Sequence, residues 1–173
     1  MHTFFIDIIT AMQSHLWFYL TTIGLVSLCI GSFLNVVIYR LPQMMQKEWQ
    51  TECRLLLADE LTSPKAKQTT EHTIDTFNLV KPNSCCPKCK AAIKPWQNIP
   101  IISWLFLKGQ CATCDNPISV RYPLVEAITA ILSLVVAYTF GATEQALLYI
   151  VVTWALVALT FIDIDHMLLP DQL

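Results

Sequence analysis

Four of the seven cysteines in this chain of 173 residues are arranged as two C-x-x-C pairs. The 21 residues between the pairs are close to the spacing of a zinc ribbon with four thiolate ligands. Two thiolates three residues apart can approach to about 3.5–4 Å, as tetrahedral Zn–S bonds of about 2.3 Å require. We therefore predict a structural Zn²⁺ module within residues 84–118, whose ligands are Cys86, Cys89, Cys111 and Cys114.

Other uses of these cysteines stay open at this point. Cys85 can replace Cys86 in a C-x-x-x-C arrangement, although the regular three-residue pairing favours Cys86. Paired C-x-x-C motifs also serve thiol–disulfide exchange, so a redox module is an alternative. Cys29 is interpreted as an apolar helix residue and Cys53 as an incidental thiol.

A second group of chemically competent residues is acidic. Asp163, Asp165 and Asp171 follow directly after an uncharged apolar run. A carboxylate at the centre of a bilayer costs about 2.5–3.5 kcal/mol on insertion scales, and less near the interface, so such acids usually indicate function or pairing. The alternative is that the three acids mark the interfacial end of a helix.

Aspartyl hydrolysis needs two carboxylates that share one proton. On a helix Asp163 and Asp165 are about 200° apart, and Pro170 interrupts the helix before Asp171. A dyad therefore requires a carboxylate from elsewhere. We expect Glu126 to cap the start of its helix or to pair near Arg121, and the second acid to lie in sequence beyond this chain.

The composition indicates an integral membrane protein, since 54% of the residues are hydrophobic, 14% are charged and the mean hydropathy is +0.50. We predict an all-α polytopic membrane protein with three transmembrane helices and a small cytoplasmic zinc-ribbon-like insertion. All eleven Lys and Arg residues fall between Arg40 and Arg121, interspersed with seven acids. This mixture argues against nucleic acid as a partner and leaves membrane lipid as the expected surroundings.

The apolar runs set the predicted domain boundaries. Leu16 to Tyr39 carries no charge over 24 residues, or about 36 Å of helix, and Leu41-Pro42 is expected to end this helix. The recurring Gly24, Ser27, Gly31 and Asn35 favour a packing face over a ligand site. The predicted parts are an extracytoplasmic lead (1–15), transmembrane helices (16–40, 124–140 and 146–162), a cytoplasmic segment (41–123) and the start of an aspartyl motif (163–173).

Orientation follows from the basic residues next to the apolar runs: Arg40, Lys47, Lys108 and Arg121. The positive-inside rule places such residues in the cytoplasm. A reducing compartment also suits thiols that hold zinc. Both arguments place residues 41–123 on the cytoplasmic side.

Several of these stretches together resemble one family, the type IV prepilin leader peptidases, also called prepilin peptidase/N-methyltransferases, of the A24 aspartic peptidase type. The similar stretches are GSFLNVVIYRLP (31–42), FNLVKPNSCCPKC (77–89), NIPIISWL (98–105), the second cysteine pair, RYPLVE (121–126) and IDIDHMLLPD (162–171). They span most of the chain from residue 31 onward.

The resemblance implies a bacterial inner-membrane enzyme of type IV pilus and type II secretion systems. Such an enzyme cleaves the leader of prepilins and pseudopilins and then methylates the new N-terminus with S-adenosylmethionine. The family's first catalytic aspartate matches Asp163, with Asp165 and Asp171 as supporting neighbours. The second lies in a G-x-G-D motif that this chain lacks, so we expect the chain to be an N-terminal part, inactive alone as a peptidase.

No residue chemistry identifies the S-adenosylmethionine contacts, since no glycine-rich nucleotide fingerprint follows a strand. We would look first at the zinc segment and at residues 31–40. A membrane-anchored zinc-binding assembly adaptor without catalysis is the alternative function. It predicts dispensable acids and essential cysteines.

Overall fold

The computed structural model describes residues 14–60, 78–79 and 84–167, and within these ranges the chain is mainly helical. The elements are α1 (Leu16–Glu60), a 3-10 helix (Pro95–Asn98), α2 (Ile102–Phe106), α3 (Arg121–Phe140) and α4 (Glu144–His166). No strand is formed in the described ranges, where two isolated antiparallel bridges join Cys85 to Ala92 and Gln110 to Pro117. Outside these ranges lie most of the predicted lead (1–15), residues 61–83 except 78–79, and Asp171.

Three of the described helices are long and apolar enough to cross a membrane: the Leu16–Leu57 part of α1, Arg121–Phe140 and Glu144–His166. Their outward faces carry many exposed large apolar side chains, such as Leu132, Val135 and Leu148. Exposed apolar faces of this extent suit contact with lipid. The fold is therefore that of an all-α membrane protein with a separate cysteine-containing segment.

The prediction that Leu41-Pro42 ends the first helix is wrong, because α1 continues through Pro42 for 18 further residues to Glu60. Proline removes one backbone hydrogen bond and crowds the preceding turn. Here Leu41 and Met45, on either side of Pro42, are both buried in the main core. This packing, together with the helix-forming Met, Gln, Glu and Leu residues that follow, outweighs the local cost.

The three long helices enclose two apolar clusters. The larger contains Leu34, Val37 and Ile38 of α1, Val125 of α3, and Val157 and Ile162 of α4 among its members. The smaller surrounds Tyr19, whose hydroxyl donates to the Gly141 carbonyl at 2.9 Å. The larger cluster lies at the end where α3 begins and α4 ends, next to the cysteine-containing segment.

The small residues of α1 form the predicted packing face. A Cβ atom built on Gly31 would lie 2.8 Å from the Cα of Glu126, so only glycine allows α1 and α3 to approach this closely. Ser27 is fully buried, and the Asn35 side chain donates to the Tyr122 carbonyl at 3.1 Å. The stripe therefore fixes the position of α3, which carries Arg121 and Glu126.

Candidate functional site

The cysteine-containing segment is built from two similar turns. In the first, the N–H of Cys86 donates to Ala91 O and that of Lys90 to Cys86 O. In the second, Cys111 donates to Asn116 O and Asp115 to Cys111 O. Both turns have a positive φ one residue after the second cysteine, 59° at Lys90 and 53° at Asp115. The same local backbone thus presents one C-x-x-C pair twice.

The two turns face each other and bring four thiols together. The Sγ atoms of Cys86, Cys89, Cys111 and Cys114 all lie within 4.8 Å of one another. Cys86 Sγ and Cys114 Sγ are 3.7 Å apart. Four sulfurs at about 2.3 Å from a tetrahedral zinc ion are separated by about 3.8 Å, so the cluster fits this metal.

Cys85, the alternative ligand, is exposed and stands outside this cluster. Its backbone takes part in the bridge to Ala92 instead. The ligand set predicted from regular spacing is therefore the one that the fold brings together. The cluster has four protein ligands, which is the closed arrangement of structural zinc sites.

Backbone N–H groups prepare two of the thiols for ionisation. The N–H groups of Cys89 and Lys88 donate to the Cys86 sulfur and lower its pKa to about 6. Those of Thr113 and Cys114 do the same at Cys111, whose pKa is also lowered. Such bonds stabilise a thiolate, which is the form that binds metal.

Cys114 shows the opposite effect. The N–H of Asn116 lowers its pKa, but burial and the neighbouring sulfurs outweigh this bond and raise the pKa to about 12. Four thiols this close cannot all ionise without a compensating charge. A divalent cation held by the four sulfurs would supply that charge and would favour release of the remaining protons.

Trp104 connects the second turn to the rest of the segment. Its indole N–H donates to the Ile118 carbonyl at 3.2 Å. Gly109 lies directly against the indole ring with φ 69°, and a Cβ atom at this position would come within 2.8 Å of the ring. The segment is therefore held by a close glycine–tryptophan contact as well as by the cysteines.

One of the two described acids at the end of α4 forms an ion pair, and the other does not. Arg121, the first residue of α3, forms a two-point hydrogen-bonded ion pair with Asp165, one contact being 2.7 Å. The guanidinium also lies over the Phe161 ring, 5.5 Å from its centroid. Asp163 is exposed in the last turn of α4, where its backbone carbonyl accepts from the Met167 N–H at 2.8 Å. Asp163 and Asp165 thus occupy different faces of the helix, as predicted.

The expectation that Glu126 caps the start of its helix or pairs near Arg121 is wrong, because Glu126 makes no capping hydrogen bond at the start of α3 and Arg121 pairs elsewhere. Glu126 is only 7% exposed, and its Oε2 accepts from the Ile101 backbone N–H at 2.7 Å. The Ser32 side chain lies near the same carboxylate and favours its charged form. Arg121 is drawn to Asp165 instead, because the end of α4 packs beside the start of α3. Sequence reasoning missed Ser32 and Ile101, for which no local motif gives a signal.

The fold and the cysteine cluster define a class: a helical membrane protein with a four-cysteine cluster, able to hold a metal ion, between its first two long helices. A family model described as the bacterial Peptidase A24 N-terminal domain matches residues 25–140, which contain the cysteine cluster and Glu126. The chain belongs to this family.

Three curated relatives are named prepilin leader peptidase/N-methyltransferase. The protein of Aeromonas salmonicida is 50% identical over 157 residues, which are 91% of this chain and 52% of the relative. That of Pseudomonas aeruginosa is 50% identical over 163 residues (94% and 53%), and that of Legionella pneumophila 47% identical over 157 residues (91% and 52%). The chain thus spans about half the length of these relatives. No solved structure gives a significant match.

Proposed function

We propose that the protein containing this chain is a membrane aspartic endopeptidase that cleaves the leader peptide of type IV prepilins and pseudopilins. We further propose that it methylates the new N-terminus with S-adenosylmethionine. The observation that carries this proposal is the identity of about half of the aligned residues, over nine-tenths of the chain, to relatives named for both activities. Membership of the family rests separately on the family model that matches residues 25–140.

In the proposed peptidase reaction Asp163 is the first catalytic aspartate. Of the two described acids at the end of α4, it is the one whose carboxylate is not engaged by Arg121. One carboxylate of an aspartyl pair activates water while the other, protonated, polarises the scissile carbonyl. The second carboxylate is proposed to come from sequence outside this chain. Asp165 supports the site by holding the helix end against Arg121, and Asp171 is proposed to support it as well.

The proposed cofactors have separate roles. Zinc would be held by Cys86, Cys89, Cys111 and Cys114, and four thiolates leave no open position for a metal-bound water. Its role is therefore structural, stabilising a short segment without a large core. S-adenosylmethionine would supply the methyl group.

We also propose that the protein lies in the bacterial inner membrane with the cysteine-containing segment in the cytoplasm. Arg40, Lys47, Lys108 and Arg121 support this orientation through the positive-inside rule. The proposed partners are prepilins, pseudopilins and membrane lipid, and no nucleic acid. Cleavage of these partners would precede type IV pilus assembly and type II secretion.

The test is the variant Asp163→Asn in the natural full-length polypeptide, assayed with a prepilin from the same organism. We expect loss of leader cleavage with unchanged zinc content. Glu144→Gln is the matched control, since Glu144 is an acid at the opposite end of the same helix. Undiminished cleavage by Asp163→Asn would contradict the assignment. If processing survives removal of the acids but not of the cysteines, the assembly adaptor is the correct interpretation.

A further inference from the structure

A cavity of about 260 Å³ lies between α1 and the segment that connects the two cysteine turns. It is lined by Cys29, Ser32, Phe33, Val36, Asn98 and Pro100. Its walls combine apolar surface with the Ser32 hydroxyl and the Asn98 amide, as small-molecule sites do. Neither Asp163 nor any of the four clustered cysteines lines this cavity. The proposed peptidase and zinc sites therefore do not use it.

A buried carboxylate lies directly behind this wall. Ser32 lines the cavity and lies near the Glu126 carboxylate, and Pro100 precedes Ile101, whose N–H donates to that carboxylate. Both neighbours of the carboxylate are neutral, and no described Lys or Arg forms an ion pair with Glu126. A carboxylate removed from water without a cationic partner is costly, and a cation bound nearby relieves that cost.

The backbone beside the carboxylate is strained. Ile101 has φ 57° and ψ −48°, a conformation that a β-branched residue rarely adopts. The Ile102 N–H donates to the Pro100 carbonyl at 2.5 Å, which closes a γ-turn of the strained kind around Ile101. Glu126 holds this turn through the Ile101 N–H. Strain held in place by a specific contact is a feature of binding and catalytic sites.

We propose that this cavity receives the positively charged sulfonium end of the methyl donor, with Glu126 as the group that attracts the charge. The inference rests on the proposed methyltransferase function and assigns the methyl donor a binding site. The N–H of Ile101 holds the carboxylate next to the cavity, and Asn98 adds a hydrogen-bonding amide to the cavity lining. Charge attraction is effective here because the surroundings are apolar helix and lipid rather than water.

Two ligands that differ in this charge provide the test. S-adenosylmethionine carries the sulfonium, whereas S-adenosylhomocysteine has a neutral thioether in its place. Their dissociation constants are measured by calorimetry on the natural full-length protein in detergent, for the wild type, Glu126→Gln and the control Glu144→Gln. We expect Glu126→Gln to raise the dissociation constant of S-adenosylmethionine at least about tenfold, equivalent to about 1.4 kcal/mol. The dissociation constant of S-adenosylhomocysteine should stay within about twofold of the wild-type value. Glu144→Gln should change neither constant.

The outcomes separate the inference from the function on which it rests. If the wild type binds neither ligand, the methyltransferase proposal fails and the inference fails with it. If the wild type binds both and Glu126→Gln leaves their ratio unchanged, or weakens both equally, the inference alone is overturned. Zinc content and monodispersity establish folding of each variant. If Glu126→Gln does not fold, Glu126→Asp, which keeps the charge but withdraws it by one methylene, should still weaken S-adenosylmethionine more than S-adenosylhomocysteine. An unchanged ratio in Glu126→Asp then overturns the inference.

Discussion

The contact between Gly31 and Glu126 allows a sharp test of how α1 and α3 are packed. A Cβ atom at Gly31 would lie 2.8 Å from Glu126 Cα and 3.2 Å from Thr129 Cβ. Optimal separations of carbon atoms are about 3.5–4.0 Å, so Gly31→Ala must push the helix backbones apart by roughly 1 Å. Overpacking of this kind costs about 1–3 kcal/mol.

Gly24→Ala is a matched control on the same helix. Its Cβ atom would meet only the Leu134 side chain, at 3.6 Å, which is an ordinary contact. Both substitutions replace glycine by alanine within a helix, so the gain in helix propensity of about 1 kcal/mol is common to them. The two variants should therefore differ by about 1–3 kcal/mol.

The assay is thermal unfolding of the detergent-solubilised protein, followed by the loss of monodisperse material. For a chain of this size 1 kcal/mol corresponds to about 2–4 °C, so Gly31→Ala should unfold at least about 2 °C below Gly24→Ala. Equal midpoints for the two variants, or a lower midpoint for Gly24→Ala, would refute the close approach at Gly31.

Three further perturbations test the cysteine-containing segment and the ion pair. Cys86→Ser should reduce bound zinc from about one ion per chain to a small fraction, whereas Cys85→Ser should retain it; equal loss in a metal analysis would mean that the ligand set is wrong. Gly109→Ala places a side chain at a position of positive φ and against an indole ring. It should lower the affinity for zinc severalfold in a chelator competition titration, and an unchanged affinity would exclude that contact. Arg121→Gln should cost about 1 kcal/mol or less, because the ion pair is partly exposed. In thermal unfolding the double variant Arg121→Asp with Asp165→Arg should have a higher midpoint than Arg121→Asp alone. Equal midpoints would indicate that the ion pair does not contribute to stability.

Local patterns in the sequence predicted much of this structure. The metal cluster was predictable because each C-x-x-C turn forms its half of the site from adjacent residues, so only the meeting of Cys86 and Cys111 depended on the fold. The long helices were predictable because uncharged apolar runs have few alternatives in a membrane. The face shared by Gly31 and Asn35 was visible from helical spacing alone.

Contacts made across long stretches of chain were not predictable. Pro42 is a local signal to end a helix, and tertiary packing of Leu41 and Met45 overrides it. The partner of Glu126 is a backbone N–H 25 residues earlier, and that of Arg121 is a carboxylate 44 residues later. A backbone donor leaves no mark in the sequence, so charge alone suggested the wrong pairing of Glu126 with Arg121.

The most direct test of the account is X-ray absorption at the zinc edge of the purified protein. The geometry of the cluster predicts one zinc ion per chain with four sulfur neighbours at about 2.3 Å and no nitrogen or oxygen ligand. A site with fewer than four sulfurs, or a metal-free protein whose four cysteines are joined as disulfides, would contradict it.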